Sequence, residues 1–154
     1  MDRVVGCFSE WVGAAVEETE RINCHHNFTQ RETHRGKEAW VSRKGAIEAR
    51  EGMPGLIPGP MGTASYVVAG KGNRLALDSA PHGAGRAFPR SAARRAFSQD
   101  DLRTAMAGIE YRDTAAFVDE IPQAYKDIDQ EMADAADLVE IRHTLHQIVN
   151  VKGD

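Results

Sequence analysis

The stretch Ser79-Ala80-Pro81-His82-Gly83-Ala84-Gly85-Arg86 constrains this chain most. Pro81 excludes a helix interior and biases Ala80 toward extended geometry. Gly83 and Gly85 open positive φ to the backbone and let a ligand approach bare N–H groups. Arg86 can present a planar fork to a phosphate. His82 is then an imidazole beside a phosphate cradle. The alternative is a surface turn with a spectator histidine, and a short Gly-rich string does not decide between them.

A second breaker-rich run, Gly52 to Gly62, carries Pro54, Pro58 and Pro60. It reads as an ordered loop that excludes a helix or a central strand. At 154 residues the chain has enough length for one domain with a real core. No apolar run is long enough to span a membrane. Two cysteines, Cys7 and Cys24, show neither metal-type pairing nor a disulfide framework, which fits a reducing cytoplasm. The net charge of −4 argues against a generally basic nucleic-acid coat. The charge is uneven, however. Residues 71–95 hold six Lys/Arg against Asp78, and residues 110–140 hold ten acids against Arg112 and Lys126. A local basic patch around His82 is expected.

The periodicity predicts an α+β fold, with mixed or antiparallel sheets flanked by helices. Val4, Phe8, Trp11, Val12, Ala15 and Val16 form one face of a helix over 2–20 that calls for a partner surface. Ile22, Cys24, His26 and Phe28 alternate as on one face of a strand, so His25 and His26 point apart and at most one can ligate a metal. A strand pair is expected over 30–50, closed by Arg43-Lys44-Gly45, where the cations are either a solvated turn or a phosphate contact. Strands are expected from Thr63 to Gly70 and over 73–77, and helices over 90–97 and 99–107, the latter capped by Ser98. A short strand over 110–112, an ambiguous 114–118, a helical pattern from Pro122 toward Ala136 and a long strand over 139–149 complete the chain.

The strings INCHHNF, SRKGA, LIPGPMGTASYVVAGKGN, SAPHGAGR, DEIPQAYKDID and DLVEIRHTLHQIVNVKG resemble, in order, the C-terminal part of the RtcB family of RNA-splicing ligases. The resemblance implies a fold like the C-terminal portion of that family. On it, residues 1–154 form a single partial domain from which the N-terminal metal-binding portion is absent. It implies joining of an RNA 3′-phosphate or 2′,3′-cyclic phosphate to an RNA 5′-hydroxyl, with GTP and Mn(II). A histidine becomes guanylylated, GMP passes to the RNA 3′-phosphate, and the 5′-hydroxyl displaces it.

By motif position the resemblance makes His82 the nucleophile and His26 a Mn ligand. Asn27 contacts the nucleotide, Gly83, Ala84 and Gly85 cradle it, and Pro58, Gly59, Pro60, Met61 and Ser65 hold GMP. Tyr125 lies near guanine and Lys152 binds it, the ammonium donating to the carbonyl on guanine's edge. Arg86 and Arg90 face phosphate or RNA. The family's Asp-x-Gly-Cys-Gly metal motif and two further histidine motifs are not in this chain, and Pro60 and Pro89 stand where serine is usual. A fragment that is catalytically incomplete without its other half is therefore expected. The rival expectation is a non-catalytic nucleotide- or RNA-binding module, or an interaction protein using the apolar helix.

Overall fold

A computed structural model describes residues 2–152. An N-terminal helix, α1 (Asp2–Val12), is followed by extended chain and then by a hairpin of β1 (Asn27–His34) and β2 (Lys37–Lys44). The hairpin turns on Arg35-Gly36, both at positive φ (52° and 74°), the backbone twist that antiparallel strands favour. β3 (Ala46–Glu48) pairs antiparallel with β6 (Ser79–Pro81). β4 (Pro54–Ile57), β5 (Ser65–Gly70) and β8 (Val139–Leu145) form an antiparallel sheet with β5 in the centre. β7 (Glu110–Tyr111) runs parallel to β9 (Val149–Asn150). Three short helices, α2 (Arg90–Ala96), α3 (Gln99–Ala105) and α4 (Ile128–Asp134), complete the α+β arrangement.

Two apolar cores form. One gathers Ile47, Ile57, Tyr66, Val68, Ala84, Met132 and Val139 under the three-stranded sheet. The other gathers Met61, Ala93, Leu102, Met106, Phe117 and Ile121 around α2 and α3. Tyr125 packs against both, so the segment that carries it lies on the seam between them.

Several elements differ from expectation. The first helix stops at Val12, because Gly13 adopts φ 69° and donates its N–H back to Ser9. Ala15 and Val16 therefore leave its face, and no residue of α1 is buried. Residues 22–26 keep the predicted alternation of burial but pair with no strand; the ladder starts at Asn27. Within the breaker-rich run, Pro54–Ile57 does form a strand, at the sheet edge where proline is tolerated. A 3-10 turn over Arg74–Ala76 replaces the strand expected over 73–77, because the Asn73 side chain caps Leu75 and Ala76. Residues 115–120 and 122–124 are 3-10 helices, and α4 begins only after Asp127, whose carboxylate accepts from Asp129 and Gln130. The long C-terminal strand breaks after Leu145 and resumes as β9. The expected course through Gly153 lies outside the described residues.

Candidate active-site cleft

His82 follows β6 directly, and its N–H donates to Gly45 O at 3.1 Å. Gly45 sits at φ 69° and donates its own N–H to His26 O at 2.8 Å. One glycine thus ties the two histidine segments together, and the His26 and His82 rings stack face to face. The glycine was legible only as a strand end. The Asn27 carboxamide oxygen accepts a second, longer bond from Gly45 N–H (3.3 Å). Burial pushes the His82 imidazole below its ordinary value, and the charge of His26 adds to the effect. A neutral ring keeps a lone pair available for attack.

In front of His82 lies a cleft of about 360 Å³. Of the predicted residues it brings together Pro58, Gly59, Pro60, Met61, Gly83, Ala84, Gly85, Tyr125 and Lys152 around His82, and it adds Gly45, Glu120 and Asn150. His26 is behind the His82 ring, while Ser65, Asn27, Arg86 and Arg90 stand outside the lining. The Ser65 hydroxyl accepts from Gly59 N–H (3.1 Å), fixing the loop from behind. A Cβ at Gly59 would fall 2.0 Å from Ala64 O, so only glycine fits there. Gln147 clamps the same loop: its amide nitrogen donates to Pro60 O and Thr63 O, and its oxygen accepts from Gly62 N–H and the Asn150 side chain. This clamp reaches back more than eighty residues along the chain, and nothing in the local sequence around Gln147 marks it.

At the far end of the cleft, Glu120 gathers the charged and phenolic groups. Lys152 Nζ donates to Glu120 Oε2 (2.6 Å), the Tyr125 hydroxyl donates to the same oxygen (2.5 Å), and Arg90 pairs with Oε1 (2.6 Å). Burial works against the Glu120 carboxylate, but Lys152, Tyr125 and Arg90 outweigh it and hold the group below its ordinary value. Burial, reinforced by Glu120, pushes the Tyr125 phenol up to about 12, so it stays a donor at neutral pH.

The basic patch expected around His82 is largely neutralised from within. Arg90 and Arg94 pair with buried Asp119. Arg86 donates to Asp119 O, Phe88 O and the Tyr125 hydroxyl, and its guanidinium lies 4.7 Å from the Tyr125 ring centre. Four cations (Arg86, Arg90, Arg94, Lys152) face two carboxylates, Asp119 and Glu120. The surplus is positive, which suits a polyanionic ligand. Arg43, a candidate phosphate contact, is instead buried in an ion pair with Glu32.

Two orphaned polar atoms bear on what the cleft can hold. His82 Nδ1 and Asn150 Oδ1 are shielded from water without a hydrogen-bond partner, and both residues line the cleft. Unsatisfied groups of this kind are costly unless a ligand completes them. Glycine walls, a positive surplus and the Lys152–Glu120 pair fit a nucleotide. A metal is a different matter. Among the described residues no three His, Cys, Asp or Glu side chains converge as a metal-holding group. His26 alone does not hold an ion.

Comparison with known proteins places the chain in a family. The protein-family model described as tRNA-splicing ligase RtcB matches residues 1–153. The RNA-splicing ligase RtcB of Escherichia coli K12 is 52% identical over 134 residues, 87% of this chain and 33% of that protein. The tRNA-splicing ligase RtcB of Pyrobaculum aerophilum is 40% identical over 130 residues, and the RNA-splicing ligase RtcB of Mycobacterium tuberculosis 40% over 126, each match covering 68% of this chain. The chain spans 27–33% of the length of these relatives. It belongs to the RtcB family of RNA-splicing ligases.

Proposed function

We propose that this chain is the nucleotide-holding, C-terminal portion of an RtcB-type RNA ligase, a single partial domain completed by an upstream metal-binding portion. The complete ligase joins RNA 3′-phosphate or 2′,3′-cyclic phosphate ends to 5′-hydroxyl ends. The observation that carries the reading is His82 itself: a half-buried imidazole held below its ordinary pKa, lining a glycine-walled cleft that Lys152 also lines.

In this reading a ring nitrogen of His82 attacks the α-phosphorus of GTP, and pyrophosphate leaves. Gly83 and Gly85 give the phosphates close access to the backbone. Lys152, held by Glu120, donates to guanine's carbonyl edge. Tyr125 closes the guanine side, and Arg86 and Arg90 carry the positive surplus toward the RNA phosphate. Asn27 and Ser65 support the nucleotide through Gly45 and Gly59, the backbone groups they bond. Of the Mn(II) ligands that the resemblance implies, the described residues supply His26, so the isolated chain is expected to bind Mn(II) weakly. Two free cysteines suit a reducing, cytoplasmic setting. No described helix is long and apolar enough to cross a membrane.

The test is intact-mass spectrometry of the chain co-expressed with the metal-binding portion of the Escherichia coli relative, incubated with GTP and Mn(II). A GMP adduct on His82, absent from His82→Ala and from the chain alone, is the expected result. An adduct that persists in His82→Ala overturns the assignment. Nucleotide binding without any adduct in the complemented protein favours the non-catalytic binding module instead.

A further inference from the structure

Leu77 and Asp78 follow one another with φ of 53° and 50°, immediately before β6. Left-handed backbone is unfavourable for a leucine, so the surrounding structure must hold it there. Backbone bonds from Leu77 N–H to Arg74 O (3.4 Å) and from Asp78 N–H to Asn73 O (3.0 Å) contribute, and the side-chain holder is Arg43 on β2. Its guanidinium donates to Leu77 O (2.9 Å) and, through Nε, to the Ser79 hydroxyl (2.9 Å). Ser79 in turn donates to Leu77 O at 3.0 Å.

Arg43 is itself immobilised. Both its terminal nitrogens bond the two oxygens of buried Glu32 across the hairpin. Gln30 donates to the same carboxylate at 2.7 Å, and His34 Nε2 lies 2.7 Å from its other oxygen. Two residues after Arg43, Gly45 O receives the His82 N–H. The segment 43–45 therefore grips both ends of β6, at Ser79 and at His82. None of Glu32, Arg43, Leu77 or Ser79 lines the cleft.

We infer that Arg43, locked by Glu32, is a positioning residue for His82: it holds the Leu77-Asp78 turn left-handed and so sets the register of β6 that places His82 against His26. A one-residue slip of β6 would turn its side chains to the opposite face. The inference rests on the proposed function only for the chemistry His82 performs; its placement is a property of this chain's fold.

The test is NMR on the full 154-residue chain. Arg43→Lys keeps a charge for Glu32 but cannot span Glu32, Ser79 and Leu77 at once. Ser79→Ala removes one link and keeps Arg43, so it carries the test if the lysine variant fails to fold. The expected result is amide exchange at His82 faster by about tenfold, the effect of one lost buried hydrogen bond, with the His26–His82 ring contact weakened. Exchange at Val68 and Leu102, one in each core, stays as in the parent. Unchanged exchange and ring contact at His82 in a folded variant overturn the inference, as does an equal rise at all three sites, which marks a general loss of stability. Failure of His82 to form a GMP adduct in the complemented parent would strike the functional reading and leave this one standing.

Discussion

The imidazole rings of His26 and His82 lie 3.8 Å apart and within 4° of parallel. Stacking at this distance covers one face of each ring, and His82 also lines the glycine-walled cleft. The partners come from distant segments joined through the two backbone bonds of Gly45.

This stack has a pH signature. Burial, then the nearness of His26, keeps the His82 imidazole below the ordinary value of 6.5. The folded protein therefore binds this proton less readily than the unfolded chain. The stability tied to a neutral His82 is present above pH 6.5 and is lost as pH falls toward the lower folded value. His26→Ala exposes one face and removes a like charge, so the His82 midpoint rises toward 6.5 in an NMR titration. A midpoint that stays put would mean that the His26 ring contributes nothing to the state of His82.

Glu32 works in the same direction at lower pH, where protonation removes a charge instead of creating one. Its bonds to Arg43 are the main cause that holds its carboxyl at about 2, against 4.5 unfolded. The ionised group stabilises the fold above pH 4.5, and this is lost as pH falls from 4.5 toward 2. The contribution is roughly 3 kcal/mol. Acid unfolding followed by circular dichroism should show Glu32→Gln less stable at neutral pH. The gap from the parent should narrow through that window.

Gln147 pins the loop that carries Pro60, Gly62 and Thr63. Replacing it with alanine removes the side-chain partner of Thr63 O and Gly62 N–H, while Pro60 O keeps the Thr63 hydroxyl and N–H. A loss of about 1–3 kcal/mol in thermal or urea unfolding is expected. Loss of stability with no faster amide exchange at Gly62 would place the effect elsewhere.

On the proposed function, Lys152 reads the guanine edge. In the complemented ligase, Lys152→Ala should weaken GTP binding by about tenfold, the scale of one charge-assisted hydrogen bond, and leave ATP binding nearly unchanged. Calorimetry with both nucleotides measures it. An unchanged preference for GTP removes Lys152 from the guanine edge.

What the sequence determined by itself was local and chemical. Ser98 announced the N-terminus of α3, the run from Thr63 announced β5, apolar–polar alternation announced β8, and the motif strings identified the family, because each signal is carried by residues close together in the chain. Short-range signals also misled where a side chain competed with the backbone. Asn73 turned an expected strand into a 3-10 turn, and Gly13 ended a helix that the apolar pattern would have continued. Tertiary structure alone decided how the cations are held. Arg86 and Arg90 read as phosphate contacts in sequence, and a basic stretch and an acidic one more than twenty residues apart meet where Asp119 and Glu120 anchor them. It alone decided that Arg43 is a buried clamp, that Gly45 couples two histidines, and that Gln147 holds a loop far back in the chain. Those roles depend on long-range hydrogen bonds and ion pairs, which form only when packing brings distant segments to within 3 Å or so of each other, and no local pattern encodes such a meeting.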